Sequence, residues 1–578
     1  MALCILLPPV PWFGLLLPLA VLCFAAVLVD LVPDRILFNG KVVTVNREFS
    51  VVEAVAIKGD RILAAGADAE ILKLAGVGTE TLDLAGKTVL PGLIEAHAHP
   101  VGASQSELDE EIPDVDSIEQ LLDHVASQTR QRPPGEWIIH PKFFSTRLRD
   151  MRQPTRQELD HAAPDHPVFL NGSFGGVINS CAMRVSGITR GSDHPGILKD
   201  ARTGEPTGVI RRSAFSLLKG IPGRSLTYEE RLDALEAMLR RYNRAGFTSI
   251  TDGGQPLAGL KLYQDLWKGE RLTARAFVHL SAPSFESREQ FAARLREWGM
   301  YSGFGNEMVR VGALKLFLDG GILTGTAYLR APWGDKARAV FGFDDPDYRG
   351  IVSTPEAQLH EAISVGNAHG WKIAVHCTGG GGMDMLLKAY GAADAVRPIR
   401  PQRSCIVHGN FFTPEAIEKC VRLGIIADCQ PAWFYKDADA MQYILGEDRI
   451  RHFLPLRSLF EAGVIVNGGS DHMVKFDSYR AINPYNPFLG MWTTITRRTE
   501  QGTVIEPSQA ITREQALRMY TMHNAYGTFE EDLKGSLEAG KLADLIVISR
   551  DYLTCPVEEI RDIQVEMTMV GGKVVYRG

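Results

Sequence analysis

The chain has 578 residues, of which 45% are apolar and 23% charged, a composition of folded protein with room for two or three structural units. The formal net charge of -7, with no long run of Lys or Arg, excludes the electrostatic footprint of a nucleic-acid binder. Eight scattered cysteines include no Cys-x-x-Cys pair and no disulfide framework, which leaves the redox compartment open.

The first 29 residues carry no charged side chain, and residues 12–29 are nearly all apolar, just long enough to cross a bilayer. Residues 1–33 therefore read as a membrane anchor or an export signal, in preference to an over-extended start. Membrane association or export follows if the segment is real, and a cytoplasmic protein otherwise.

Folded sequence begins near Asp34. The stretch Arg35–Val45 predicts a hairpin turning at Asn39-Gly40, and Ala54–Gly66 a second one turning at Gly59-Asp60. With the strand before Leu90 these make a small all-β unit over residues 34–92. Ile118, Leu121, Leu122 and Val125 have helical spacing, and Pro154-Thr155 opens another helix. Beyond them, apolar runs alternate with helical stretches: 248–251, 276–280, 309–318, 371–375, 404–407, 424–427 and 464–467. Continuous apolar runs between helices predict parallel strands covered on both faces. With the strand of His97 they number eight, which points to a (β/α)8 barrel over residues 93–530, with an insertion at about 100–245. Short strands return over 531–578. The fold class is therefore α/β, a TIM-like barrel with a small β-sandwich formed by both chain ends.

The chemistry stands at the strand ends. Leu90-Pro91-Gly92-Leu93-Ile94-Glu95-Ala96 leads into His97-Ala98-His99, two imidazoles that share one face of an extended strand. The later apolar runs lead into His376, His408 and, through Gly468-Gly469-Ser470, Asp471; Lys315 lies inside an apolar strand. Each alone has an ordinary explanation: a core or loop histidine, a lysine reaching solvent, an aspartate shaping a turn. Together, at the C-terminal ends of barrel strands, they converge on one site.

These motifs, with Leu314-Lys315-Leu316-Phe317-Leu318-Asp319-Gly320, Tyr520-Thr521-Met522-His523-Asn524-Ala525 and residues 535–544, resemble the amidohydrolase superfamily. The likeness is to its amidohydrolase-3 branch, which includes N-substituted formamide deformylase-like enzymes. The resemblance implies a metal-dependent hydrolase with a divalent metal, zinc first, as one or two ions. It also implies His97, His99, His376 and His408 as ligands. Lys315 stands where related binuclear sites carry an N6-carboxylated lysine that bridges two metals, and Asp471 joins the site as general acid/base. The implied reaction is hydrolysis of a non-peptide C–N bond in an amide, N-formyl or cyclic amide substrate. The alternatives are an ester hydrolase or deaminase, or a catalytically degenerate metal-binding relative. A small amide-like molecule is the expected partner, nucleic acid is not, and the sandwich could support a homodimer.

The chain departs from the family pattern at three places. Asn171-Gly172-Ser173 stands for the frequent Asp-Gly-His, and Arg212 for a frequent acidic residue. Gly379–Gly382 replaces Gly-Asp after the His376 strand and suggests a mobile or close-packed loop at the site mouth, or a surface turn.

Overall fold

The computed structural model describes residues 32–108, 111–223 and 226–578; the apolar 12–29 segment lies outside them. Among the described residues, no helix is long and apolar enough to cross a membrane.

Eight parallel strands form the central sheet: β1 (Leu93–Ala98), β2 (Phe247–Gln255), β3 (Arg275–Ser281), β4 (Val309–Phe317), β5 (Ile373–Cys377), β6 (Cys405–His408), β7 (Ile426–Cys429) and β8 (Val466–Gly468). Neighbours pair in strict sequence order, the βαβ winding of a (β/α)8 barrel. Alternation explains how these apolar runs are used. Ile373, Val375 and Ile406 belong to the large cluster that includes the surrounding helices. Ala313, Ala374, Cys405, Val407 and Ile426 form a separate small cluster, and Lys315, His376 and Asp428 follow them at a spacing of two.

The barrel closes between β1 and β8 by a different device. Asp471 N donates to the His97 carbonyl at 2.7 Å and His99 N to the His472 carbonyl at 2.8 Å. The Asn524 amide donates to the carbonyls of Ile94 (2.5 Å) and Gly468 (2.9 Å), and its oxygen accepts from Gly468 N (3.0 Å). Buried Glu95 accepts from both His97 N and Ser470 N at 2.9 Å. Burial pushes its carboxyl up to about 8.

Both chain ends build one six-stranded sheet, in which Leu545–Ile548 pairs antiparallel with Thr88–Pro91. A four-stranded sheet comes from residues 35–83 alone. The hairpin expected at Asn39-Gly40 does not form. Arg35–Phe38 pairs with Ala54–Lys58 and Glu80–Asp83, whereas Lys41–Val43 pairs with Val51–Val52 and Thr88–Pro91. Asn39 takes the left-handed conformation (φ 55°), but its N–H is held by Asp68 and its amide by Asp83, so the chain crosses between sheets there. The Gly59-Asp60 hairpin is present, with Lys58 opposite Arg61. The buried pair Arg275–Asp544 (2.7 and 3.0 Å) ties the start of β3 to the six-stranded sheet, giving the 535–544 motif a structural role.

Between β1 and β2 stands a further five-stranded sheet containing Ile138–Pro141, Val168–Asn171, Gly175–Ile178, Ile197–Lys199 and Pro206–Arg211. Asn524→Ala is expected to lower stability by about 2–4 kcal/mol, because three buried hydrogen bonds across the closure are lost. Denaturant unfolding checks this, and an unchanged midpoint would show that the barrel closes without that amide.

Candidate metal centre

His97, Lys315, His376, His408 and Asp471 are all buried at one end of the barrel, and His99 is partly open at its rim. His97 Nε2 lies 3.7 Å and His99 Nε2 3.2 Å from Asp471 Oδ1. The His97 and His408 rings are 5.4 Å apart, and those of His408 and His376 4.6 Å apart. One ligand atom from each of His97, His408 and Asp471 falls within 4.8 Å of the others, a spacing that suits a common ion. His376 and His99 flank this trio.

The backbone is bent to achieve this. Cys405 and Val407 point into the small inner cluster, so simple alternation would turn His408 away; instead His408 has φ 76° and its ring joins the others. Asp471 likewise has φ 55°. Non-glycine residues seldom take such angles, and they concentrate at functional sites. Gly253 on β2 leaves room for the first pair, since a Cβ there would lie 2.6 Å from His97 Nε2 and 3.0 Å from His99 Cε1.

Hydrogen bonds fix the ring orientations. His408 Nδ1 is 2.8 Å from Gln430 Oε1, an acceptor, so Nδ1–H donates and Nε2 keeps its lone pair. His376 Nε2 donates to the Gly320 carbonyl (2.9 Å), so its Nδ1 keeps a lone pair. Asp319 accepts from the backbone of Tyr328, Thr378 and Gly379, which joins the loops after β4 and β5. Such partners of ligating histidines set tautomer and orientation. The Leu314–Gly320 motif therefore supplies Lys315 and also the supports of His376.

The electrostatics favour metal-binding forms. Burial above all, then the neighbouring Lys315 and histidines, lowers His97 and His376 well below the usual imidazole range. Burial brings His408 down to about 4. Neutral imidazoles result, the form that ligates metals. For Asp471, burial pushes upward, but the hydrogen bond from His99 and the charges of His408, His99 and Lys142 outweigh it and hold the carboxyl below its usual range. Burial draws Lys315 down to about 8. Neither ring nitrogen of His97 nor Lys315 Nζ has a hydrogen-bond partner among the described residues. Unpartnered buried polar atoms are costly, and a divalent ion would satisfy the histidine. The donor set fits such an ion.

Several residues of the site carried no sequence motif. Asp428 on β7 places Oδ2 3.7 Å from His97 Nδ1, Gln430 orients His408, and Trp433 stacks on His408 at 4.5 Å. Asp428, two residues past the inward Ile426, was accessible to the alternation argument; Lys142 was not. A cavity of about 470 Å³ lies over the centre, bordered also by Lys142, Ser173, Phe174 and Arg212 from the five-stranded insert. Gly379–Gly382 is neither a mobile loop nor a surface turn. Gly379 caps helix Gly380–Val396, and a Cβ on it would meet the Tyr328 carbonyl oxygen at 2.1 Å, so the glycines let a helix start press against the loop after β4.

Residues 80–576 match the model of the amidohydrolase family. The chain belongs to the amidohydrolase family. It is 28% identical over 565 residues to N-substituted formamide deformylase of Arthrobacter pascens, covering 94% of this chain and 98% of that protein. It is 25% identical over 555 residues to the putative amidohydrolase YtcJ of Bacillus subtilis (strain 168), covering 93% and 98%. Among solved structures, an uncharacterized metal-dependent hydrolase from Pyrococcus furiosus superposes with a TM-score of 0.63 at 25% identity, over 90% of this chain and all of that one. Family membership makes the protein a hydrolase with a candidate His/Asp metal centre.

Gln430→Ala is expected to weaken divalent-metal affinity by about 10–100-fold, the usual loss when a ligand's orienting partner goes. Competition against a chromophoric chelator measures it, and unchanged affinity would mean that His408 does not ligate.

Proposed function

We propose that this amidohydrolase cleaves a non-peptide C–N bond, in an amide, N-formyl or cyclic amide substrate, at the centre built by His97, His99, Lys315, His376, His408 and Asp471. The observation that carries the proposal is the convergence of His97, His408 and Asp471 beneath a cavity of small-molecule size, with the nitrogens of His97 and Lys315 unpartnered. The match to N-substituted formamide deformylase supports the bond class.

A bound divalent ion, zinc first for this nitrogen-and-carboxylate set, would polarise the scissile carbonyl and bring the pKa of its water to about 7. Asp471, ionised at neutral pH, takes the proton of the attacking water and returns it to the departing nitrogen. His99 Nε2, 3.2 Å from the Asp471 carboxylate, steadies that charge. Gln430 and Gly320 hold His408 and His376 in fixed tautomers, so neither ring needs to reorganise during turnover. Lys315 is suited to carboxylation. Its buried amine, drawn down to about 8, forms an N–C bond to carbon dioxide with loss of one proton, and the carbamate replaces a buried cation by an anionic oxygen donor. An unmodified ammonium would repel metal ions. Trp433 and Phe174, stacked on His408 and His376, give the cavity apolar walls.

An ester hydrolase, a deaminase and a catalytically inactive metal binder would share the ligands. The inactive binder needs no proton shuttle, and Asp471 separates it from the others. Asp471→Asn is expected to keep its metal and to lose about 100-fold or more in kcat towards N-formyl and N-acyl amines, as removal of a general base does. Metal analysis beside a release assay checks both halves, and near wild-type turnover would overturn the mechanism.

A further inference from the structure

Ser173 and Arg212, from two of the three departures, border the cavity together with Lys142. The parallel strands Ile138–Pro141 and Val168–Asn171 end side by side, and the chain turns just beyond each, at Lys142 (φ 57°) and Ser173 (φ 71°). Both are non-glycine residues in the left-handed region, a costly conformation that surrounding structure must enforce. Asn171 enforces one of them, because its side chain accepts from Ser173 N at 2.8 Å. The outcome is a hydrogen bond from Lys142 Nζ to the Ser173 hydroxyl.

Arg212 borders the same cavity. Its guanidinium lies 5.2 Å from the centre of the Phe174 ring and 5.5 Å from that of Phe317. The two rings hold it over the junction with a neighbouring cleft of about 940 Å³, which shares Phe174, Arg212, Lys315 and Phe317. Neither Arg212 nor Lys142 has a carboxylate within ion-pair distance among the described residues. Asp471, the acid whose charge reaches Lys142, is already engaged by His97 and His99. Burial brings Lys142 down to about 8; the Asp471 charge opposes that fall and the Arg212 charge adds to it. Many arginines in this chain are paired, among them Arg147 with Asp437 and Arg330 with Asp384, so unpaired cations over the centre stand out.

We propose that Lys142, Ser173 and Arg212 form an anion-recognising wall, and that the substrate carries a carboxylate beside the cleaved bond, as an N-formyl or N-acyl amino acid does. The inference rests on the proposed C–N hydrolysis and narrows its substrate class. An incoming carboxylate accepts hydrogen bonds from the Arg212 guanidinium, the Lys142 ammonium and the Ser173 hydroxyl. The scissile amide can then lie towards the histidines and the apolar remainder along Phe174 and Phe317. A neutral amide leaves both cations unpaired.

The test pairs N-formyl-phenylalanine with its neutral carboxamide and reads formate release by the metal-loaded full chain. Wild type is expected to favour the acid by about 10–100-fold in kcat/KM, the discrimination of charge-assisted hydrogen bonds. Arg212→Gln and Lys142→Met are each expected to lower the acid-to-amide ratio by about tenfold, whereas Arg212→Lys and Lys142→Arg keep most of it. A merely structural role would reduce both substrates alike and leave the ratio untouched. Calorimetric binding of the same pair to the metal-loaded Asp471→Asn variant separates the two claims. Formate release without preference for the acid overturns the wall and leaves the hydrolysis standing. Preferential, Arg212-dependent binding of the acid without formate release overturns deformylation and leaves the wall standing. Equal binding of both compounds overturns the wall.

Discussion

The closure of the barrel between β1 and β8 governs the rest of the structure. An eight-stranded parallel sheet must join its first strand to its last, and β8 is only three residues long. Side chains make up the shortfall. Asn524 bridges the carbonyls of Ile94 and Gly468, and Glu95 collects the backbone N–H groups of His97 and Ser470. Through these contacts His97 and His99 come within 4 Å of Asp471, which lies more than 370 residues later in sequence. The two other histidines and Lys315 follow because β4, β5 and β6 are adjacent in the sheet.

Closure also creates a debt of buried polar groups. Glu95, His97, Lys315 and Asp428 are sealed from water, and the Glu95, His97 and Lys315 side chains each hold at least one polar atom with no partner. Proteins rarely tolerate this without an ion, a water or a function that explains it. In the proposed centre a divalent metal would resolve the histidine, and carboxylation would resolve the lysine. At Glu95 burial raises the carboxyl to about 8, which favours its neutral form at the seam.

Much of this was legible in the sequence because period-two alternation and strand ends are local signals. The eight apolar runs and the polar residues that end them are visible as text. Lys315 and His376 follow directly from the parity of Ala313 and Ala374. His408 was found by its place at a strand end, although alternation alone would turn it outward; the left-handed backbone that recovers it has no signature in the residues Val407-His408-Gly409. The Asn39-Gly40 turn misled for the converse reason. Local turn chemistry was satisfied by Asp68 and Asp83, contacts from other strands, and the chain passed from one sheet to another. Lys142 had no motif at all, since its position depends on two strands of the insert ending together beside the barrel.

The proposed centre would hold divalent metal between His97, His99, Lys315, His376, His408 and Asp471. Anomalous diffraction at the zinc edge from crystals of the zinc-loaded protein tests it most directly. One or two peaks are expected within bonding distance, about 2.0–2.2 Å, of His97, His408 and Asp471. Density for an added carboxylate on Lys315 Nζ is expected beside them. An anomalous peak elsewhere, with His97 and Lys315 satisfied by water alone, would contradict it.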